Sequence, residues 1–231
     1  MSREKAGYPL IGYFASNKAY AAGLKTPKDL AGKRIAVTQV GSSFHYSLGL
    51  LADKYGFKLS ETKVLPMQSL SNAAAALKGE TVDAALLPVS TARKLMDDDG
   101  AKLLGWVGDE TPWQLGAVFA STRTLANKAL VTKLLGALDR ADREYHDVIL
   151  AAVKDGKAPI NDRTRPLLEI IARYTNLAVE QVVGNCAYID PDGKLDVRDV
   201  THQIDWLQRQ GFVDKGFGVD AIIARDYVKP D

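Results

Sequence analysis

Between residues 33 and 87, three short aliphatic or β-branched runs alternate with two segments of helical periodicity, and that alternation constrains the chain more than any other feature of it. The first run, residues 33–38, ends at Gly41-Ser42-Ser43. Apolar residues then recur at Phe44, Leu48, Leu51, Ala52 and Tyr55, the spacing of one helix face. Residues 62–66 form the second run, after which Ser71-Asn72 is expected to cap an alanine-rich helix that stops at Gly79. Residues 82–87 form the third run. Strand–helix–strand units of this length pair in parallel through right-handed crossovers. The expectation is therefore an α/β fold with a doubly wound sheet, binding chemistry gathering at the carboxyl ends of its strands.

Beyond this unit the patterns predict a helix at 91–96, a strand at 102–107 and a loop at 108–113. Helices follow at 127–154, 162–175, 178–186 and 197–210. Residues 10–16 (LIGYFAS) and 115–121 (LGAVFAS) echo each other and bracket the α/β unit. Taken as chain crossings, they divide the 231 residues into 1–15, 16–114 and 115–231. Thirty basic residues against twenty-eight acidic ones leave a net charge of +2. The signs are interspersed, which argues against nucleic acid as a partner. The longest apolar runs fall well short of the roughly 20 residues of a spanning helix, so no membrane insertion is expected. The first residues carry charge but no hydrophobic stretch, so they do not read as a secretory signal. A single cysteine, Cys186, leaves no internal disulfide and no multi-cysteine metal site.

Three further stretches carry a resemblance: residues 26–37 (TPKDLAGKRIAV), residues 41–46 (GSSFHY) and residues 79–85 (GETVDAA). In this order and spacing they resemble the ABC-transporter solute-binding proteins of the nitrate/taurine/sulfonate, NMT1/THI5-like group. The resemblance implies a type II periplasmic-binding-protein fold, two doubly wound lobes joined by hinge strands. It also implies a periplasmic receptor, not an enzyme, that captures a small anionic organic ligand between lobes without a cofactor and delivers it to an ABC permease and its ATPase. Members of the group place several strands and helices before the segment at Tyr8, so the first lobe reads as incomplete here. Residues 1–15 would then be its remnant with the first crossing, 16–114 the second lobe, and 115–231 the return crossing with helices of the first lobe. An uncovered sheet edge would favour a homodimer. Thiamine-pyrimidine and menaquinone-pathway enzymes resemble the same fold. The former carry a cysteine-rich motif that a chain with one cysteine lacks. A truncated fragment with a partner-binding role is the other alternative.

The candidate ligand residues follow from both lines. Gly41, Ser42 and Ser43 open a helix after a strand, where free N–H groups and the helix dipole suit an anionic oxygen; the same serines serve equally as an ordinary N-cap. His45 and Tyr46 fall in the first turn, facing either ligand or solvent. Gln68 and Ser69 follow the second strand at the same sheet edge. Trp113 is the aromatic candidate to cover a ligand face or, alternatively, to pack a hinge. No Gly-x-Ser-x-Gly turn and no acid partner for a Ser43–His45 pair is present. Asp83 reads as a residue that orders neighbouring backbone, Asp196 as a helix cap, and no metal site is expected, His146 and His202 standing alone.

Overall fold

The computed structural model describes residues 1–154 and 156–229. Its strands are β1 (Ser2–Glu4), β2 (Ile11–Ala15), β3 (Arg34–Val37), β4 (Lys63–Pro66), β5 (Ala84–Pro88), β6 (Lys102–Trp106), β7 (Trp113–Gln114) and β8 (Tyr188–Ile189). Its helices are α1 (Asn17–Ala21), α2 (Ser43–Tyr55), α3 (Leu70–Lys78), α4 (Val89–Asp97), α5 (Val107–Glu110), α6 (Thr122–Leu125), α7 (Lys128–Val148), α8 (Arg165–Thr175), α9 (Val179–Val182) and α10 (Val197–Arg209). The chain divides into two compact units: an α/β unit, Glu4–Pro112, and a helical unit made of Met1–Arg3 with the chain from Trp113 onward.

The α/β unit is built on a five-stranded sheet of order β4-β3-β5-β2-β6. β3 pairs in parallel with β4 and β5, and β2 runs antiparallel between β5 and β6. Side chains alternate across the sheet, and helices cover both faces. On one face Phe14, Ala36, Ala85 and Leu87 join a core with Ala73 and Leu77 of α3 and Ala92 and Leu95 of α4. On the other, Ile35, Val37 and Leu86 are buried, and Tyr13 sends its hydroxyl to the Ser47 carbonyl of α2 at 3.1 Å. Helix α2 ends where Gly56 adopts φ 70°, a left-handed cap that glycine provides without steric cost.

Several local expectations change in the structure. Ser69, not Ser71-Asn72, caps α3: its hydroxyl accepts the Asn72 N–H at 3.1 Å, because Asn72 turns its side-chain amide back to the Met67 carbonyl at 2.9 Å. The loop expected at 108–113 holds the short helix α5 and the start of β7. The helix expected at 178–186 is one turn, α9, and Cys186 lies beyond it. β1 and β8 have no periodic signature because each is only two or three residues long.

The two segments that echo each other in sequence, 10–16 and 115–121, differ in structure. Ile11–Ala15 is a wholly buried strand paired on both sides, in the interior of the five-stranded sheet. In 115–121, only Leu115 and Gly116 donate backbone bonds, both to the Ser2 carbonyl (3.2 and 3.0 Å), and residues 118–121 are exposed. Similar sequences differ here because one has partner strands on both sides. The chain passes from one unit to the other at Arg3–Glu4 and at Pro112–Trp113.

The helical unit holds a three-stranded sheet of order β7-β1-β8. Gln114 ties its parts together: Nε2 donates to the carbonyls of Ser2 (2.9 Å) and Gly116 (2.8 Å), and Oε1 accepts the Asp196 N–H (3.1 Å). Asp196 caps α10, accepting the Asp199 N–H at 3.0 Å. No helix among the described residues is long and apolar enough to cross a membrane.

Candidate functional site

The parallel strands β3, β4 and β5 all end at one edge of the five-stranded sheet, and the candidate residues of the α/β unit sit in the loops that leave that edge. After β3, the Ser42 N–H donates to the Gln39 carbonyl at 3.2 Å. This closes a turn in which Gly41 stands third with φ 81°, the place where a type II turn calls for glycine. Ser42 (φ −72°, ψ 169°) then caps α2, its hydroxyl accepting the His45 N–H. The Gly41 N–H donates to Nδ1 of His45 at 3.0 Å.

Two of the three amides expected to meet a ligand are thus already engaged within the loop. The open donors lie one residue further along. Ser43 and Phe44 are the first two residues of a 13-residue helix, where N–H groups have no intrahelical acceptor, and neither finds another among the described residues. Ser43 is exposed, Gly41 and Ser42 are half-buried and Phe44 is 8% exposed, so the corner is open at Ser43. Phe44 carries no side-chain oxygen, so only its backbone N–H, invisible to a motif of side chains, puts it among these unbonded donors.

The loop after β4 lies alongside. The N–H groups of Met67 and Gln68 donate to the carbonyls of Val37 (2.9 Å) and Thr38 (2.8 Å), which carries the β3–β4 pairing past the strand ends. Gln68 has φ 66° and is exposed, its side chain projecting from the loop. Ser69 is occupied as the α3 cap. The structure therefore brings Gly41, Ser42, Ser43, Gln68 and Ser69 to one edge.

His45 and Tyr46 are only 6% and 4% exposed, so the solvated first turn considered for them does not exist. Burial pushes the His45 imidazole below its ordinary pKa. Trp113, expected in a loop, is a buried residue of β7 in the helical unit. Residues 38–47 and 67–73 contain no Asp, Glu, Lys or Arg.

Charged residues elsewhere in the α/β unit serve structure. Asp83 stands before β5, at the opposite edge of the sheet, where it accepts the Arg34 N–H at 2.8 Å and pairs with the guanidinium. Those Arg34 contacts hold its carboxyl below the ordinary range. Burial pushes Glu110 up, but Lys54 and Tyr55, both bonded to it, outweigh burial and lower it. Cys186 is buried, which raises its thiol pKa and keeps it from the thiolate form a nucleophile needs. No group of three or more His, Cys, Asp or Glu among the described residues is placed to hold a metal ion.

Known structures share this fold. The alkanesulfonate-binding protein SsuA from Xanthomonas axonopodis pv. citri, bound to MOPS, is 23% identical with a TM-score of 0.61, over 96% of this chain and 70% of that one. The periplasmic aliphatic sulphonate binding protein SsuA from Escherichia coli is 17% identical with a TM-score of 0.70, over 98% and 72%. The desulfurization enzyme DSZB is 14% identical with a TM-score of 0.57, over 97% and 74%. The architecture is accordingly that of the type II periplasmic binding proteins. No curated protein sequence matches the chain. A family model described as NMT1/THI5 like matches residues 12–146, a span that takes in β3 to β6, all of β2 but its first residue, and both loops of the candidate edge. Sheet, loops and sequence signature agree, and the chain belongs to the NMT1/THI5-like family.

Proposed function

We propose that this protein is a solute-binding component of an ABC importer, holding a small organic monoanion at the amino end of α2 without transforming it. The observation that carries the reading is the pair of open amides at Ser43 and Phe44, at the start of a 13-residue helix, in a corner where Ser43 is exposed. Such amides carry the positive end of the helix dipole and suit a sulfonate or carboxylate oxygen. Gln68, projecting from the adjoining loop, supplies a polar contact. Family membership and the fold shared with two sulfonate-binding proteins support a sulfonate as the first ligand to try; a carboxylate or a thiamine-precursor-like compound is the alternative.

The absence of any cationic side chain in residues 38–47 and 67–73 favours a monoanion. A phosphomonoester carries about two charges at neutral pH, and the second would be desolvated without a counter-charge. Delivery to a permease–ATPase pair and a periplasmic location are part of the same proposal, as is the reading of the two compact units as the lobes of the receptor. DSZB, an enzyme, shares the fold, but the one cysteine here, Cys186, is buried with a raised thiol pKa.

Titration calorimetry with MOPS, ethanesulfonate, benzoate, nitrate and glycerol phosphate tests the reading. One-to-one binding of at least one sulfonate or carboxylate is expected, with glycerol phosphate at least about tenfold weaker, one unmatched charge-assisted contact. No binding of any monoanion, or tighter binding of glycerol phosphate, would refute it.

A further inference from the structure

We propose that His45 is the positioning residue of this anion site: a neutral imidazole, carrying its proton on Nε2, accepts the Gly41 N–H through Nδ1 and thereby holds the turn that leads into the Ser43 and Phe44 amides. The inference rests on the reading of that corner as the ligand site. A backbone N–H can only donate, so the 3.0 Å contact from Gly41 to Nδ1 requires a lone pair on Nδ1 and selects one tautomer. Protonating Nδ1 would set two donors against each other across that distance.

The contact closes a small ring. From β3 the chain turns at Gln39–Ser42, with Ser42 N–H on the Gln39 carbonyl (3.2 Å); it enters α2 with the His45 N–H directed at the Ser42 hydroxyl (3.4 Å) and returns through the His45 side chain to Gly41. His45 thus joins the turn to the first helical turn by its main chain and its side chain. The Gly41 φ of 81° lies where most residues are strained and glycine is not, so the local sequence alone does not confine this loop. The ring supplies the confinement. His45 is 6% exposed and lies in a stretch without Asp, Glu, Lys or Arg from residue 38 to residue 47. Burial disfavours the imidazolium, which keeps Nδ1 available as an acceptor. Tyr13 of β2, bonded to the Ser47 carbonyl, is the titratable side chain that reaches this turn of α2 from the sheet, and burial holds it neutral as well.

The role is one of geometry, so the test separates acceptor from shape. In the ligand-free protein at neutral pH, nitrogen-15 NMR of the imidazole should show Nδ1 unprotonated and Nε2 protonated. Calorimetry with MOPS on two variants follows. His45→Asn keeps an acceptor at the Nδ1 position and should bind within about threefold of the parent, whereas His45→Leu lacks one and should bind about tenfold more weakly, the loss of one hydrogen bond. An Nδ1-protonated tautomer, or equal weakening in both variants while the parent binds MOPS, would overturn the role of His45. Should the parent bind no anion at all, the functional reading fails, while the NMR result still decides the His45–Gly41 contact by itself.

Discussion

The two units bury their apolar residues to very different extents. In the α/β unit Tyr13, Phe14, Leu30, Ile35, Leu48, Leu51, Leu77, Leu86 and Leu87 are all almost completely buried, and only Val40 and Leu103 stand out among its exposed large apolar side chains. In the helical unit the corresponding fully buried aliphatic residues are Ile149 and Leu168, while Phe119 is 91% exposed, Tyr174 81%, and Leu130, Leu134, Ile170 and Ile222 lie near half. The sheets explain the difference. Five strands with a helix layer on each face enclose side chains on both sides. Three strands of two or three residues cannot cover a 21-residue helix, and α7 buries only Val131. A rigid platform for ligand donors belongs on the first kind of unit, and the candidate edge lies there.

One residue breaks that pattern, and changing the pH exposes it most strongly. Glu4, at the beginning of the α/β unit, is 1% exposed, and neither carboxyl oxygen makes a well-formed hydrogen bond. Burial pushes its pKa up to about 8, with the nearby Ile11 and Gly108 amides only tempering the shift. A raised folded-state pKa means the carboxyl is favoured in its neutral form. The associated stability is fully present below the ordinary value of 4.5 and is lost as the pH rises to about 8. At about 1.4 kcal/mol per pH unit, the loss across that window is on the order of 5 kcal/mol. Urea denaturation from pH 4.5 to 9 should show it, and Glu4→Gln should flatten the profile and stabilise the unit at high pH. A parallel decline in the variant would mean that Glu4 is ionised without cost.

Truncating one leucine in each unit tests the contrast directly. Leu87→Ala, in the completely enclosed core, should cost about 2–5 kcal/mol. Leu134→Ala, at a residue 48% exposed, should change stability by less than about 0.5 kcal/mol. Chemical denaturation of both variants measures the difference; similar losses would show that the helical unit packs as tightly as the α/β unit.

The same contrast explains what could be read in advance. The parallel strands of the α/β unit announce themselves because a run such as 33–38 followed by helical spacing from Phe44 to Tyr55 carries its own period, and the family signature rests on those segments. β1 and β8 are too short to show a period, and the Gln114 network that joins them to α10 depends on residues far apart in the chain. Of the proposed site, the sequence shows the corner but not which of its amides are left unbonded. Gly-Ser-Ser at a helix start pointed to the corner, but local spacing could not show that Gly41 and Ser42 bond within the loop, which moves the donors to Ser43 and Phe44. The polar, Pro-containing stretch 108–113 suggests a loop at Trp113, whereas pairing in the β7-β1-β8 sheet makes it a strand residue.

The open amide at Ser43 can be deleted without disturbing the helix. Proline is favoured at the first helical position, and Ser42, with ψ 169°, already has the extended backbone that must precede it. Titration of the parent and of Ser43→Pro with MOPS is therefore the most direct measurement. If the helix start binds the anion, the variant should keep its thermal stability and bind about 10- to 100-fold more weakly, the loss of one charge-assisted hydrogen bond. A correctly folded Ser43→Pro protein with undiminished affinity would contradict the account.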